Sequence, residues 1–232
     1  MSTNQFRRFT YCITAKKQGV SEILAQIKLE AIQKQLVTGG ITAFEGYQKE
    51  DIYFLLIDGA LDMNSRALAD TLSSMVLFSD IQRVLQEDNT PFSFESSVLE
   101  RIYKLDQKVI FRPEDGQLKT RVGVKKRFVL TLLLQDDPEL IAEYKKVHGI
   151  GQAWPEITAN MKSVGVMDME IYLHNSQAFL IMDTIPNFDM DVIGPQWQQL
   201  PRETEWQEYV AKFQRIHPQD SIQEKWGNML PI

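Results

Sequence analysis

The 232-residue chain has one cysteine, Cys12, so an intrachain disulfide framework is excluded. Cys12 lies in the apolar, strand-like run Phe9-Thr10-Tyr11-Cys12-Ile13, where a thiol reads as buried and inert. Histidine is also scarce, with three residues, and neither CxxC nor HExxH occurs. No metal is expected. Walker, GxGxxG and GxSxG patterns are missing as well, which removes the usual nucleotide and serine-hydrolase readings. No cofactor is expected. Positive charge is in deficit: 25 Lys and Arg face 31 Asp and Glu, for a net charge of -6 and a pI near 5.2. That balance argues against nucleic acid as a partner, and Lys125-Lys126-Arg127 is too short a run to reverse it. No stretch of roughly 18 apolar residues is present, so no membrane span is expected. The opening Met1-Ser2-Thr3-Asn4-Gln5-Phe6-Arg7-Arg8 lacks the apolar core of a secretory leader. A cytoplasmic, reducing location is the expectation.

What remains is an ordinary globular composition, 44% hydrophobic and 24% charged, and an internal repeat. Gly40-Ile41-Thr42-Ala43-Phe44-Glu45-Gly46-Tyr47 returns as Gly165-Val166-Met167-Asp168-Met169-Glu170-Ile171-Tyr172, with Gly, Glu and Tyr in place. At the same offset Phe54-Leu55-Leu56-Ile57-Asp58 matches Phe179-Leu180-Ile181-Met182-Asp183. The starts, Arg8-Phe9 and Arg127-Phe128, also correspond, with a length difference falling in the first helical region. A period this long marks a duplicated domain.

Each half reads β-α-β-β-α-β. In the second, a strand over 127–135 precedes Asp136-Asp137-Pro138, a cap and first-turn signature, with a helix to about residue 147. Gly149 and Gly151 interrupt it, and Pro155 restarts it to about residue 162. Strands over 167–173 and 178–185 follow, then a Pro-rich loop, a helix over 203–215 and a last strand over 221–229. The first half places strands at 5–14, 41–48, 52–58 and 96–105, and helices at 21–36 and 64–86. The fold class expected is α+β: two ferredoxin-like βαββαβ units forming a pseudo-dimeric α/β barrel. The domain reading is 1–111, a linker over 112–123, and 124–232. Such a sheet carries helices on one face only, so the other face needs a partner. An internal pseudo-dimer and a homodimer both satisfy that requirement.

The chemistry is one-sided. All three histidines (His148, His174, His217) and all four tryptophans (Trp154, Trp197, Trp206, Trp226) follow the linker. Tyr144 and His148 stand four apart, on one helix face. His148 falls at a helix C-terminus, where the dipole favours imidazolium and titration near neutrality is expected. His174, in a turn, and His217, before Pro218, read as exposed.

These residues carry a resemblance. Glu143-Tyr144, His148, Trp154-Pro155-Glu156-Ile157, Gly165, Ile171-Tyr172-Leu173, Trp206 with Tyr209, and Glu224 in the final strand occur in the order found in the L-rhamnose mutarotase family, which includes related L-fucose mutarotases. The second half resembles that family over about residues 126–231. The resemblance implies interconversion of the α and β anomers of a 6-deoxy sugar, with a monosaccharide as the partner and no cofactor. It implies His148 as the catalytic proton donor, Tyr144 as a sugar contact and Trp206 as the first of a tryptophan pair packed on the sugar. The chain departs from the pattern at Met169, where a second sugar-contacting tyrosine is expected, and at Gln207, where the second tryptophan is expected. Two extra residues separate His148 from Trp154. Met169 and Gln207 are therefore expected in the pocket wall, and the sugar can differ from rhamnose, with L-fucose the first substitute.

Three further candidates have structural readings beside functional ones. Trp154 before Pro155 reads as packing or as a ligand contact. Tyr172 and Glu170 have repeat partners in Tyr47 and Glu45, which favours scaffold roles, with Glu170 open as a second proton-transfer group. Two other readings stay open: a non-catalytic sugar or small-ligand binding module on the same scaffold, and another enzyme of the α/β-barrel type, such as a cofactor-free oxygenase or haem-degrading protein.

Overall fold

The computed structural model describes residues 4–15, 19–87, 91–215 and 226–232. In chain order the first half runs β1 (Gln5–Thr14), α1 (Val20–Ala25), a 3-10 turn (Gln26–Lys28), α2 (Glu30–Thr38), β2 (Ile41–Lys49), β3 (Ile52–Gly59), α3 (Ser65–Ser73), α4 (Val76–Glu87) and β4 (Glu100–Lys104). A 3-10 turn (Pro113–Asp115) and β5 (Gln117–Thr120) follow. The second half runs β6 (Lys126–Leu133), α5 (Pro138–His148), α6 (Pro155–Ser163), β7 (Val166–His174), β8 (Gln177–Thr184), α7 (Met190–Trp197), α8 (Glu203–Ala211), β9 (Gly227–Asn228) and β10 (Leu230–Pro231). His217, Glu224 and most of the strand expected over 221–229 lie outside the described residues. No helix among the described residues is long and apolar enough to cross a membrane.

The chain forms two compact units, each around an antiparallel five-stranded sheet. One comprises Met1–Glu100, Ile110–Arg121 and Met229–Ile232; the other comprises Arg101–Val109 and Val122–Asn228. The first sheet has the order β10-β2-β3-β1-β5 and the second β4-β7-β8-β6-β9. The mixed α+β class and the ferredoxin-like central strand order match the sequence reading. Edge strands differ from it. Strand β4 follows the first half in sequence but lies beside β7 in the second unit, and β10 ends the chain beside β2 in the first. Each covers the unpaired edge of a strand that would otherwise expose its backbone groups. Strand β5 lies within the segment expected to be a linker. Its alternating Gln-Leu-Lys-Thr is too polar to signal a strand on its own, and β1 recruits it through pairs such as Phe6 with Lys119.

Other local rules hold. Asp137 caps α5, accepting from the Glu139 and Leu140 amides at 2.8 and 3.2 Å. Asn64 caps α3 through the Ala67 amide at 2.9 Å. The single helix expected over 64–86 is two. It breaks at Ser74, whose hydroxyl donates back to the Thr71 carbonyl, the local bonding by which serine competes with helix continuation. Helix α7 replaces part of the expected loop. Pro195 and Gly194 hide it in the sequence, yet Asp189 caps it through the Asp191 amide at 3.0 Å.

The repeat is visible atom by atom. Arg8 faces Asp58 across β1 and β3, and Arg127 faces Asp183 across β6 and β8. Both are bidentate: Nε to Oδ1 at 2.8 and 2.7 Å, and Nη2 to Oδ2 at 2.9 and 2.8 Å. Both are buried. The same bulge follows in β2, between Ile41 and Ala43, and in β7, between Val166 and Asp168. Gly40 (φ 80°) and Gly165 (φ 98°) turn the chain into these strands with backbone angles that suit glycine. A Cβ on Gly165 would also lie 2.8 Å from the Ile185 side chain.

Burial pushes the Asp183 carboxyl up, but hydrogen bonds and charge from Arg127 and Lys125 outweigh it and hold the group below the usual carboxylate range. Its stabilisation is therefore full above pH ~4, the unfolded value, and is lost as pH falls through the lower folded value. Asp183→Ala strands Arg127 and is expected to cost about 3–5 kcal/mol in urea unfolding at pH 7. An unchanged unfolding midpoint would refute that account.

Candidate functional site

Between the helices and the sheet of the second unit lies a cavity of about 810 Å³. All four tryptophans line it, as do Met161, Met169, Met182 and Met190. It brings together Tyr144, His148, Trp154, Met169, Trp206 and Gln207, six residues singled out from the sequence. They arrive from four elements. Tyr144 and His148 share a face of α5, Trp154 precedes α6, Met169 points inward from β7, and Trp206 and Gln207 lie on α8.

His148 is 7% exposed and is packed by three aromatic rings. Its ring centroid lies 4.3 Å from Tyr144, 5.7 Å from Trp206 and 6.0 Å from Tyr103. Nδ1 sits 2.8 Å from the Tyr144 carbonyl oxygen. A carbonyl only accepts, so Nδ1 carries the proton and Nε2 is the basic nitrogen. The expectation of titration near neutrality is corrected here. Burial lowers the imidazole to about 4, against the helix end and the carbonyl, which favour the cation. Sequence shows the helix end but not the rings that bury it.

The aromatic wall continues outward. Trp154 lies 5.3 Å from Trp206 and stacks at 5.9 Å on Tyr209, with the Arg202 guanidinium 4.1 Å above its ring. The packing role expected of Trp154 is thus observed, and the residue also lines the cavity.

Glu170 and Tyr172 do not line the cavity. Side chains alternate along a strand, so β7 directs Met169 and Ile171 to the cavity and Glu170 and Tyr172 to the opposite face. There the buried Glu170 Oε1 accepts from Arg101 Nη1 at 2.8 Å and from the Tyr172 hydroxyl at 3.0 Å. Tyr47 donates to Glu45 in the same way in the first unit. These are ion-pair and strand-scaffold contacts in a part of the unit that faces away from the cavity.

The structure also adds residues the sequence reading passed over. Trp197 and Met190 enter on α7, and Trp197 was hidden with its helix. Glu203, at the start of α8, is 5% exposed and lines the cavity. Its Oε1 accepts from Asn160 Nδ2 at 2.9 Å and from Trp197 Nε1 at 3.0 Å. An acidic residue in a first helical turn is the norm, so nothing in its spacing marked it. Among the described residues no group of His, Cys, Asp and Glu is placed to hold a metal.

The first unit shows what closes such a space. Phe44 occupies the repeat position of Met169, and it packs 5.4 Å from Phe78, which lies 5.6 Å from Phe94. Ile81, fully buried, holds the repeat position of Trp206.

Comparison with known proteins places this second-unit geometry. A model of the L-rhamnose mutarotase family matches residues 127–232. An L-fucose mutarotase of Xanthomonas campestris is 28% identical over 100 residues, 43% of this chain and 80% of that protein. An L-rhamnose mutarotase of Acidiphilium cryptum is 31% identical over 90 residues, 38% of this chain and 81% of that protein. A UPF0734 protein of Dictyostelium discoideum is 31% identical over 108 residues, 45% of this chain and 85% of that protein. The second half is thus a domain of the sugar-mutarotase class. Through it, the chain belongs to the L-rhamnose mutarotase family.

The imidazole at about 4 against 6.5 in the unfolded chain makes acid destabilising. Stability from keeping His148 neutral is complete above pH 6.5 and falls by roughly 3 kcal/mol as pH drops to 4. Urea unfolding across that range should show this slope, and His148→Gln should flatten it. Nitrogen-15 spectra at pH 6 should show the Nδ1–H tautomer of His148; an imidazolium signal there would contradict the burial argument.

Proposed function

We propose that the second unit interconverts the anomers of a 6-deoxy sugar, L-rhamnose or L-fucose, with His148 as the acid/base. The observation that carries this is the neutral imidazole whose Nδ1–H is tied to the Tyr144 carbonyl, in a cavity walled by tryptophan. Mutarotation needs the anomeric hydroxyl deprotonated, the ring opened, the C1–C2 bond rotated and the steps reversed. A neutral imidazole takes a proton through Nε2 and returns it without leaving its place. The names of the mutarotase relatives support the sugar class.

The walls suit the substrate. Trp206 offers an apolar ring to the C–H face and methyl group of a deoxy sugar, with Trp154 packed edge-on behind it. Gln207 supplies both a donor and acceptors for a hydroxyl. Met169 presents a flexible thioether in place of a phenol, which removes one hydrogen-bonding group from the wall. L-fucose is the first sugar to test beside L-rhamnose.

Saturation-transfer NMR of anomer exchange on L-rhamnose and L-fucose, with D-glucose as control, tests the reading. Acceleration on a deoxy sugar is expected, with a loss of at least a hundredfold in His148→Gln, a side chain that fills much of the imidazole volume. Trp206→Ala should raise KM by roughly tenfold and, by uncovering His148, move the acid limb of the pH profile upward. Saturable sugar binding without any acceleration would replace the enzyme with a sugar-binding module.

A further inference from the structure

We infer that Glu203 is the second proton-transfer group of this site, the acid that protonates the sugar's ring oxygen while His148 works at the anomeric hydroxyl. The inference rests on the mutarotase reading above. Mutarotation moves two protons at two oxygens, and a single imidazole nitrogen reaches one of them at a time. A second group is therefore required, either a side chain or water.

Glu203 has the placement. It lines the same cavity as His148 but comes from the start of α8, whereas His148 ends α5. Trp206 follows Glu203 by three residues, on the same helix face, and its ring lies 5.7 Å from the His148 ring. The two groups thus line one cavity together with the tryptophan assigned to the sugar face.

Glu203 also has the chemistry. Both hydrogen bonds to it, from Asn160 Nδ2 and from Trp197 Nε1, converge on Oε1. In the neutral acid a carbonyl oxygen accepts two such bonds and the other oxygen carries the proton. The Asn160 and Trp197 donors therefore orient Oε2–H as the donor. Burial raises the carboxyl above its ordinary range, against those two hydrogen bonds, which lower it. The environments push the imidazole down and the carboxyl up, the arrangement that separates a base from an acid at one pH.

Among the described residues, most other ionisable groups near the cavity are engaged or exposed. Tyr103 on β4 and Tyr144 on α5 are pushed upward by burial and stay neutral. Arg202 pairs with Glu205 and with Glu156 at the start of α6. Glu208 on α8 lines the outer wall, and Asp191 on α7 is exposed.

The step balances. Nε2 of His148 takes the proton of the anomeric O1–H, whose bonding pair forms the C1=O1 bond. The C1–O5 bond breaks with its pair on O5, which takes the proton from Glu203 Oε2. The open-chain aldehyde then faces an imidazolium and a carboxylate. After rotation about C1–C2, O5–H returns its proton to Oε2, O5 closes on C1, and O1 recovers its proton from Nε2.

The test is saturation-transfer exchange across pH 5 to 9 on whichever deoxy sugar the wild-type protein turns over, using wild type, Glu203→Gln and Glu203→Asp. Glutamine keeps an acceptor for Asn160 and Trp197 but carries no acidic proton. A loss of roughly a hundredfold or more in kcat is expected, with little change in KM. Wild-type kcat should decline on an alkaline limb that Glu203→Gln lacks, and Glu203→Asp should keep that limb at reduced rate. Full kcat in a folded Glu203→Gln protein would overturn the inference and leave the mutarotase reading standing. If that variant does not fold, Glu203→Asp decides: full wild-type kcat in it, with the carboxyl drawn back by one methylene, overturns the inference equally. No exchange by the wild type on any sugar would remove both readings together.

Discussion

The chemistry proposed for the second unit depends on one hydrogen bond, from His148 Nδ1 to the carbonyl of Tyr144, one turn back on its own helix. It selects the tautomer, fixes the ring plane and leaves Nε2 as the basic nitrogen. Three aromatic rings then bury the imidazole and keep it neutral, although a helix C-terminus favours the cation. Dipole and carbonyl pull one way and desolvation the other; desolvation is larger, so the group is held as a base. A solvent-exposed histidine at the same helix end would titrate where the sequence suggests. The difference is made by Tyr103, Tyr144 and Trp206, of which Tyr103 belongs to a strand that precedes the second half in sequence.

The two units show one scaffold put to two ends. The Arg8–Asp58 and Arg127–Asp183 pairs occupy matching registers, and both units keep the bulge and the positive-φ glycine that lead into the strand beyond. These features set backbone geometry, so they survive in both. The helix-facing side chains diverge. Phe44 and Ile81 fill the first unit where Met169 and Trp206 border a cavity in the second. The filled positions stabilise the first unit by apolar burial and close packing in place of a solvated space.

Much of this was legible in residues. The repeat, the α+β class, the cap at Asp137 and the helix restart at Pro155 all follow from local rules. The gathering of Tyr144, His148, Trp154, Met169, Trp206 and Gln207 came from motif order. The misses have physical causes. Helix α7 was masked by Pro195 and Gly194, although Asp189 followed by Met190, Ile193 and Trp197 carried a cap and a helical spacing. The edge positions of β4 and β10 depend on which strand needs cover, a tertiary matter. Strand alternation alone would have separated Glu170 and Tyr172 from Met169. Glu203 gave no signal, because its environment is set by burial and by Asn160 and Trp197, donors distant in sequence or on an unforeseen helix.

The central claim is that a sugar sits against Nε2 of a neutral His148. The most direct test is a nitrogen-15 NMR titration of the labelled protein with L-fucose and with L-rhamnose, following the imidazole nitrogens and the indole signals. The account predicts a saturable shift of His148 Nε2 together with the Trp206 indole, while the exposed His174 stays unmoved. Saturable binding that shifts other residues and leaves His148 Nε2 unchanged would contradict it.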